Sequence, residues 1–295
     1  MNELTTATTA GTESGTAMLE LEDVTVRFGG INALDSVALT VGRDTVCGLI
    51  GPNGAGKTTL FDVISGVRRP TRGRVTLDGV DVSSLGVARR AHRGVRRTFQ
   101  RVQTFGWLTV EDNVLTALEW RGGGGGFVAD VLGSPTRARR ERERRARAER
   151  ALELCGLVDV RAEYAGSLPI GIARMVELAR ATVDPPKLLL LDEPASGLDQ
   201  TEAERLGAHI RAVRAETGCA VLLVEHNAGF VMEHSDRVVV LNLGRVLADG
   251  SPDEIQANPD VRTAYLGEVH PMAEPATGDG VDNDDTNESN ESPAR

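Results

Sequence analysis

An α/β fold built on a parallel sheet is predicted by three observations. Apolar residues alternate with polar ones near the start of the chain. A short apolar run then feeds a glycine-rich turn followed by a helical pattern. Two later apolar runs, Leu188 to Leu191 and Ala220 to Val224, are continuous and short, as expected of strands covered on both faces.

Leu19 and Leu21, then Val24, Val26 and Phe28, and later Val37, Leu39 and Val41 follow the period-2 pattern of half-buried strands. Two or three antiparallel strands therefore open the fold. Thr45 to Ile50 runs apolar into Gly51, and Lys57 to Ser65 has helical spacing, which gives strand, loop and helix in succession. Gly122 to Gly126 are consecutive glycines that hold neither helix nor strand together, so this stretch reads as an excursion. From Arg137 to Arg150, Arg and Glu alternate with opposite charges four apart, for example Arg139 with Glu143 and Glu141 with Arg145. That pattern predicts a solvated helix continuing into Leu152 to Leu157. A second helix is expected from about Ala173 to Ala181. Val238 to Leu241 and Val246 to Ala248, joined around Asn242 to Gly244, predict a closing hairpin.

The 295 residues suffice for about two domains. A composition 40% hydrophobic and 26% charged excludes collagen-like, wholly disordered and disulfide-scaffold classes. Cys47, Cys155 and Cys219 lie far apart, so neighbours cannot build a thiolate zinc site or a redox pair, and a reducing cytosol fits best. No apolar run approaches the roughly 20 residues that cross a bilayer, and Met1 to Met18 lacks the basic and apolar regions of a secretory signal. The net charge is −10, and most of it sits at the ends: Pro271 to Arg295 carries seven acids and one Arg, and Met1 to Met18 two acids and no base. Residues 1–18 and 269–295 are expected to be disordered tails around one organised block, 19–268. A nucleic-acid partner is not expected, because the interleaved acids of the Arg-rich stretch repel phosphate and only 3% of residues are aromatic.

Gly51-Pro-Asn-Gly-Ala-Gly-Lys-Thr58 fits the pattern G-x-x-x-x-G-K-[ST] in the context its mechanism needs, after a strand and before a helix. Asn53, Gly54, Ala55 and Gly56 bring backbone N–H groups close to a polyphosphate at a helix N-terminus. Lys57 adds a point charge at the β and γ phosphates, Thr58 offers a hydroxyl to Mg²⁺, and Thr59 follows it into the helix. The plain alternative is a glycine-rich turn with an exposed lysine. Lys187 to Leu191 is an apolar strand that ends in Asp192 and Glu193, at the strand tip where open parallel sheets bind ligands. Asp192 can hold Mg²⁺ through its water shell and Glu193 can act as general base; the alternative for such a pair is capping the next helix. His226 follows another apolar run and can position water and donate to a γ-phosphate, whereas His92, His209, His234 and His270 have no such placement. Phe28, 29 residues before Lys57, can stack on a base or belong to the core.

Taken in order, Gly51 to Thr59, Gln100, Asp192 with Glu193, Ser196-Gly-Leu-Asp199 and His226 resemble the Walker A, Q-loop, Walker B, D-loop and switch histidine of ABC ATPases. Val95 to Gln100, the inserted stretch before Arg150, and Asn258 to Gly267 are similar to the ATP-binding subunits of branched-chain amino acid importers. The resemblance implies a P-loop NTPase (RecA-like) core with an antiparallel β subdomain and an α-helical subdomain at about 100–165. It implies ATP and Mg²⁺ as ligands, with Thr58, Gln100 and Asp192 at the metal. Two such domains would close head to tail on two nucleotides, with a second ATP-binding subunit, identical or different, as the mate. Membrane permeases at the cytoplasmic face would be the direct partners, and a solute-binding protein an indirect one. Glu193 and His226 would organise hydrolysis, Asp199 would communicate across the interface, and Gln100 would link the γ-phosphate to the helical subdomain. Other cargoes, and non-transport members acting on nucleic acid or ribosomes, are the alternatives.

One motif departs from the family pattern. Where Leu-Ser-Gly-Gly-Gln is expected, the chain has Leu168-Pro-Ile-Gly-Ile172. Gly171 is kept and Pro169 suits a helix start, but the serine hydroxyl that would reach a γ-phosphate is gone. Two unequal sites, completed by a different partner subunit, are expected from this loss.

Overall fold

The computed structural model describes residues 17–119 and 135–264, with side chains from 139 onward in the second segment. The glycine-rich excursion and, apart from Ala17 and Met18, the two expected tails lie outside these residues, as do 265–268.

Strands β1 (Ala17–Phe28), β2 (Ile31–Gly42), β4 (Arg72–Leu77) and β5 (Val80–Asp81) form an antiparallel sheet in the order β2-β1-β4-β5. β1 begins two residues earlier than the alternation suggested, with Met18 buried. The alternation also changes phase between Leu21 and Val24. There the β1–β2 register shifts and Asp23 adopts φ 51°, so a bulge returns both residues to the buried face.

Strands β3 (Val46–Ile50), β6 (Val95–Arg97), β7 (Leu188–Asp192), β8 (Ala220–Val224), β9 (Arg237–Asn242) and β10 (Arg245–Gly250) make the central sheet, ordered β10-β9-β3-β8-β7-β6. It is parallel except at β10, which pairs antiparallel with β9. The continuous apolar runs have the reason expected of them. Leu188 and Leu190 face a core shared with the antiparallel sheet and α1 (Lys57–Ser65), while Leu189 and Leu191 face a second core under the helical layer.

That helical layer comprises α3 (Val110–Thr116), α4 (Pro135–Leu154) and α5 (Ile170–Thr182), backed by α6 (Gln200–Thr217). It extends past residue 165, because α5 packs with α3 and α4 in one apolar cluster. On α4 the pairs Arg139–Glu143 and Arg145–Glu141 form as expected, each at 2.9 Å, whereas Arg147 turns to Asp184. Short helices α2 (Val87–His92), α7 (Ala228–His234), α8 (Pro252–Ala257) and α9 (Pro259–Ala264) close the ends. No helix among the described residues is long and apolar enough to cross a membrane.

Candidate functional site

The loop from Gly51 to Gly56 leaves β3 at the centre of the sheet and turns into α1. Gly56 sits at φ 105°, and a Cβ there would lie 2.6 Å from the Ala33 carbonyl oxygen, so only glycine fits the turn. The hairpin tip after β9 braces the loop from behind: Leu243 and Gly244 both take positive φ, and the Gly244 N–H donates to the Ala55 carbonyl at 2.9 Å.

The start of α1 is bare. α3, α6 and α8 each have a side-chain cap, from Thr109, Asp199 and Ser251, and acids in the first turn; α1 has neither. Its first N–H groups and positive dipole end are thus left to an anion. Asn53, Gly54 and Thr58 are exposed around it. Lys57 is buried and lays its Nζ across the loop, donating to the Gly51 and Pro52 carbonyls at 2.6 and 3.0 Å. Burial holds its pKa below the ordinary lysine value, with the nearby Glu193 charge acting in the opposite direction.

Across from this loop stand the twin acids at the end of β7. Glu193 has left the strand conformation, with φ 49°, and its N–H donates to the Val224 carbonyl. Its two carboxylate oxygens have different partners: Gln100 Nε2 donates to Oε2 at 2.7 Å, and His226 Nε2 lies 2.6 Å from Oε1. Three residues spread over more than a hundred positions of sequence are thereby joined. Glu193 and His226 line a cleft of about 500 Å³ that Ser196, Asp199 and Glu225 also line, room enough for a water beside the Glu193 carboxylate. Asp192 pairs with Arg97 Nη2 at 2.9 Å through Oδ2.

The donors fit a magnesium ion bound in the manner of nucleotide sites. Mg²⁺ there keeps most of its waters and takes one hydroxyl, one carboxylate and the phosphates rather than an all-protein cage. Thr58 and Asp192 could supply that hydroxyl and carboxylate, while no cluster of three or more acidic, His or Cys ligands exists among the described residues.

The remaining expected residues are placed as follows. Phe28 ends β1 half exposed, with the Arg68 guanidinium 4.3 Å from its ring centre. Asp199 caps α6 in a reciprocal box with Glu202. Pro169 is the N-cap of α5, whose first turn, like that of α1, has no side-chain cap and no acid. Gly171 lies against the Glu202 carboxylate, where a Cβ would come within 2.5 Å. His234 is buried and edge-on to Phe230 at 4.5 Å, at the wall of the cleft that Glu193 and His226 line.

Sequence reasoning missed four residues that hold the site. Arg97 anchors Asp192. Glu225 is buried, and its carboxylate accepts from the backbone N–H groups of Ala195 and His226 at 2.6 and 3.2 Å, tying together the loops that carry Glu193 and His226. Burial raises its pKa above the usual carboxylate value. Arg174 donates to the Phe99 and Gln100 carbonyls at 3.1 and 2.6 Å, and Glu177 accepts from the Gln103 N–H at 2.8 Å, so α5 holds the segment around Gln100. The available signal was charge in apolar surroundings: Arg97 within a strand pattern, Glu225 closing an apolar run, and an Arg and Glu three apart on the inner face of a helix.

Comparisons with known proteins show the family. A family model described as ABC transporter matches residues 34–196, and one described as Branched-chain amino acid ATP-binding cassette transporter matches 245–271. The chain is 43% identical over 252 residues to the high-affinity branched-chain amino acid transport ATP-binding protein BraF of Pseudomonas aeruginosa, covering 85% of this chain and 98% of that protein. The corresponding protein LivG of Salmonella typhimurium is 40% identical over the same shares. A solved nucleotide-free ATP-binding cassette from an ABC transporter superposes with a TM-score of 0.72 at 29% identity, covering 85% of this chain and 100% of that one. With a family model matched over more than half of the chain and relatives of 40% identity or more spanning nearly their whole length, the chain belongs to the ATP-binding subunits of ABC transporters.

Proposed function

We propose that this chain powers the import of branched-chain amino acids, seated on permease subunits at the cytoplasmic face of a membrane. The observation that carries the hydrolytic part is Glu193 bridging Gln100 and His226 opposite the bare start of α1. The cargo rests on the names of BraF and LivG and on the match over residues 245–271.

In this reading the Gly51–Gly56 amides and Lys57 bind the β and γ phosphates, and Phe28 flanks the base. Thr58 and Asp192, with Gln100, would hold Mg²⁺, which would offset phosphate charge when bound. Glu193 takes the proton of the attacking water, while His226 fixes the carboxylate and donates toward the γ-phosphate. The permease contact is an exposed aromatic edge of the helical layer, formed by Phe105, Trp107 and Tyr164, the last two 76% and 62% exposed. A second ATP-binding subunit completes each site through the start of its signature helix, and Asp199 lies at that boundary. This chain's own signature segment offers backbone N–H groups and the α5 dipole but no hydroxyl, which supports two unequal sites formed with a non-identical mate.

The test is reconstitution with branched-chain amino acid permease subunits and a solute-binding protein from the same organism. Proteoliposomes should take up leucine only with ATP inside the cassette-bearing compartment, and the Glu193→Gln variant should bind the permeases yet transport nothing. Uptake of a different solute would overturn the cargo while leaving the ATPase reading intact.

A further inference from the structure

Arg97 lies on β6 between two machines that reach the nucleotide from different parts of the fold. Its Nη2 donates to Asp192 Oδ2 at 2.9 Å, at the tip of β7. Its Nη1 donates to Asp62 Oδ1 at 2.7 Å and to Ser65 Oγ at 3.2 Å, both on α1, the helix that opens with Lys57 and Thr58. The rings of Phe61 and Phe99 stand 5.6 Å from the guanidinium carbon, and the side chain is 11% exposed. The fork is therefore enclosed by aromatic rings and committed at both ends. No other hydrogen bond to the Asp192 carboxylate is seen among the described residues. β6 is itself fixed to β7, with Arg97 in register with Leu190 and the Thr98 N–H donating to the Leu190 carbonyl at 2.9 Å.

We infer that Arg97 is a positioning residue that holds the Asp192 carboxylate at a fixed orientation relative to the helix carrying Thr58, and so sets the magnesium concentration the site requires. The inference rests on the nucleotide-site reading given above. A planar guanidinium can grip one carboxylate with each terminal nitrogen, which a lysine ammonium cannot do at the same geometry. Charge and orientation act in opposite directions here. The Arg97 charge beside Asp192 weakens attraction for a cation, whereas the hydrogen bond removes the freedom that a weakly gripped, hydrated ion would otherwise have to freeze out. The two effects separate by charge counting: Asp62, Asp192 and Arg97 together carry −1, and the double variant Arg97→Met with Asp62→Asn also leaves −1. That variant removes the oriented contact at unchanged net charge and leaves Asp62 no unpaired charge, but it strips Asp192 of its counter-ion. Arg97→Lys keeps a cation at the position and changes the geometry, so agreement of the two variants isolates orientation.

The experiment uses the full chain and a fluorescent ATP analogue, titrated first in EDTA and then with MgCl₂ added to the analogue-bound protein; circular dichroism and thermal melting confirm folding. In EDTA the double variant and Arg97→Lys should bind the analogue within twofold of the parent. The magnesium concentration at half of the fluorescence change should rise at least fivefold in both. An unchanged magnesium midpoint in either variant overturns the proposal, as does an equal loss of affinity with and without magnesium, which marks general damage to the site. Failure of the parent chain to bind the analogue at all overturns the nucleotide-site reading and this inference with it, an outcome visible before any variant is made.

Discussion

Glu193 has one carboxylate oxygen on Gln100 and the other on His226, so removing its charge should strike chemistry and spare binding. Glu193→Gln is expected to cut ATP turnover by at least a hundredfold, within the range of lost general-base catalysis, with nucleotide affinity retained by calorimetry. Near-normal turnover would remove Glu193 from that role. Lys57→Ala should act on binding instead, weakening ATP affinity about tenfold or more, as expected for a lost charge-assisted contact. A third residue reports on stability. His234 is buried, accepts a hydrogen bond from Arg211 at Nδ1, and has its pKa lowered by that burial and by the Arg211 charge. Below the ordinary histidine value of 6.5 the unfolded chain binds the proton more readily than the folded one. The stability it contributes is therefore complete above that pH and drains away as pH falls through the folded value. Thermal melts of His234→Gln and the parent between about pH 7 and pH 5 should converge on acidification. A constant gap between the two curves would show that His234 does not titrate in this way.

Among the helices, α6 and α8 begin with reciprocal boxes built by Asp199 with Glu202 and by Ser251 with Glu254, whereas α1, α5 and the short α2 begin without side-chain caps. The capped helices gain stability locally, and in the proposed reading α1 and α5 keep their N–H groups for phosphate. Ser251→Ala should cost about 1 kcal/mol, measured as a lower denaturant midpoint with an unchanged slope, and should leave ATP binding as it is. The far end of α1 is secured differently. Arg90 is fully buried and donates to the Val63 and Ile64 carbonyls at 2.6 and 2.8 Å, where the helix runs out of N–H partners. Burial brings its pKa down to about 10, still well above neutrality, so it remains charged against the negative end of the helix. Arg90→Met is expected to cost roughly 3 kcal/mol, because several buried carbonyls lose their donor; a loss below about 0.5 kcal/mol, the level of an ordinary surface change, would show that the cap is dispensable.

For the whole molecule, the central sheet separates two cores with opposite tasks. One joins the antiparallel sheet and α1 behind the nucleotide loop, and the other joins the helical layer that presents α5 and the aromatic edge. Arg174 and Glu177 bridge these tasks by holding the Gln100 segment onto α5. In the proposed reading, a change in the Gln100 contact with Glu193 would be passed to the helix that serves the neighbouring site. If the altered signature segment makes that neighbouring site the weaker one, restoring it with Pro169→Ser and Ile170→Gly should raise the ATPase rate of the assembled transporter severalfold. An unchanged rate in an intact complex would mean that the two sites are not unequal for this reason.

The sequence by itself determined the sites that depend on neighbours in the chain. The loop Gly51 to Thr58, the strand ending in Asp192 and Glu193, the closing hairpin and the paired charges of α4 are local patterns, in which backbone freedom, period and spacing are already the cause. His226 was legible as a position at a strand end and Gln100 only through the family resemblance, but that both would meet Glu193 was decided only when β6, β7 and β8 aligned in one sheet. Arg97, Glu225, Arg174 and Glu177 were legible only as charges among apolar residues, and such a charge reveals a need for a partner and not which partner. Burial makes that need absolute, because a charge removed from water must be met by another group, and only the tertiary packing that brings distant elements together supplies it.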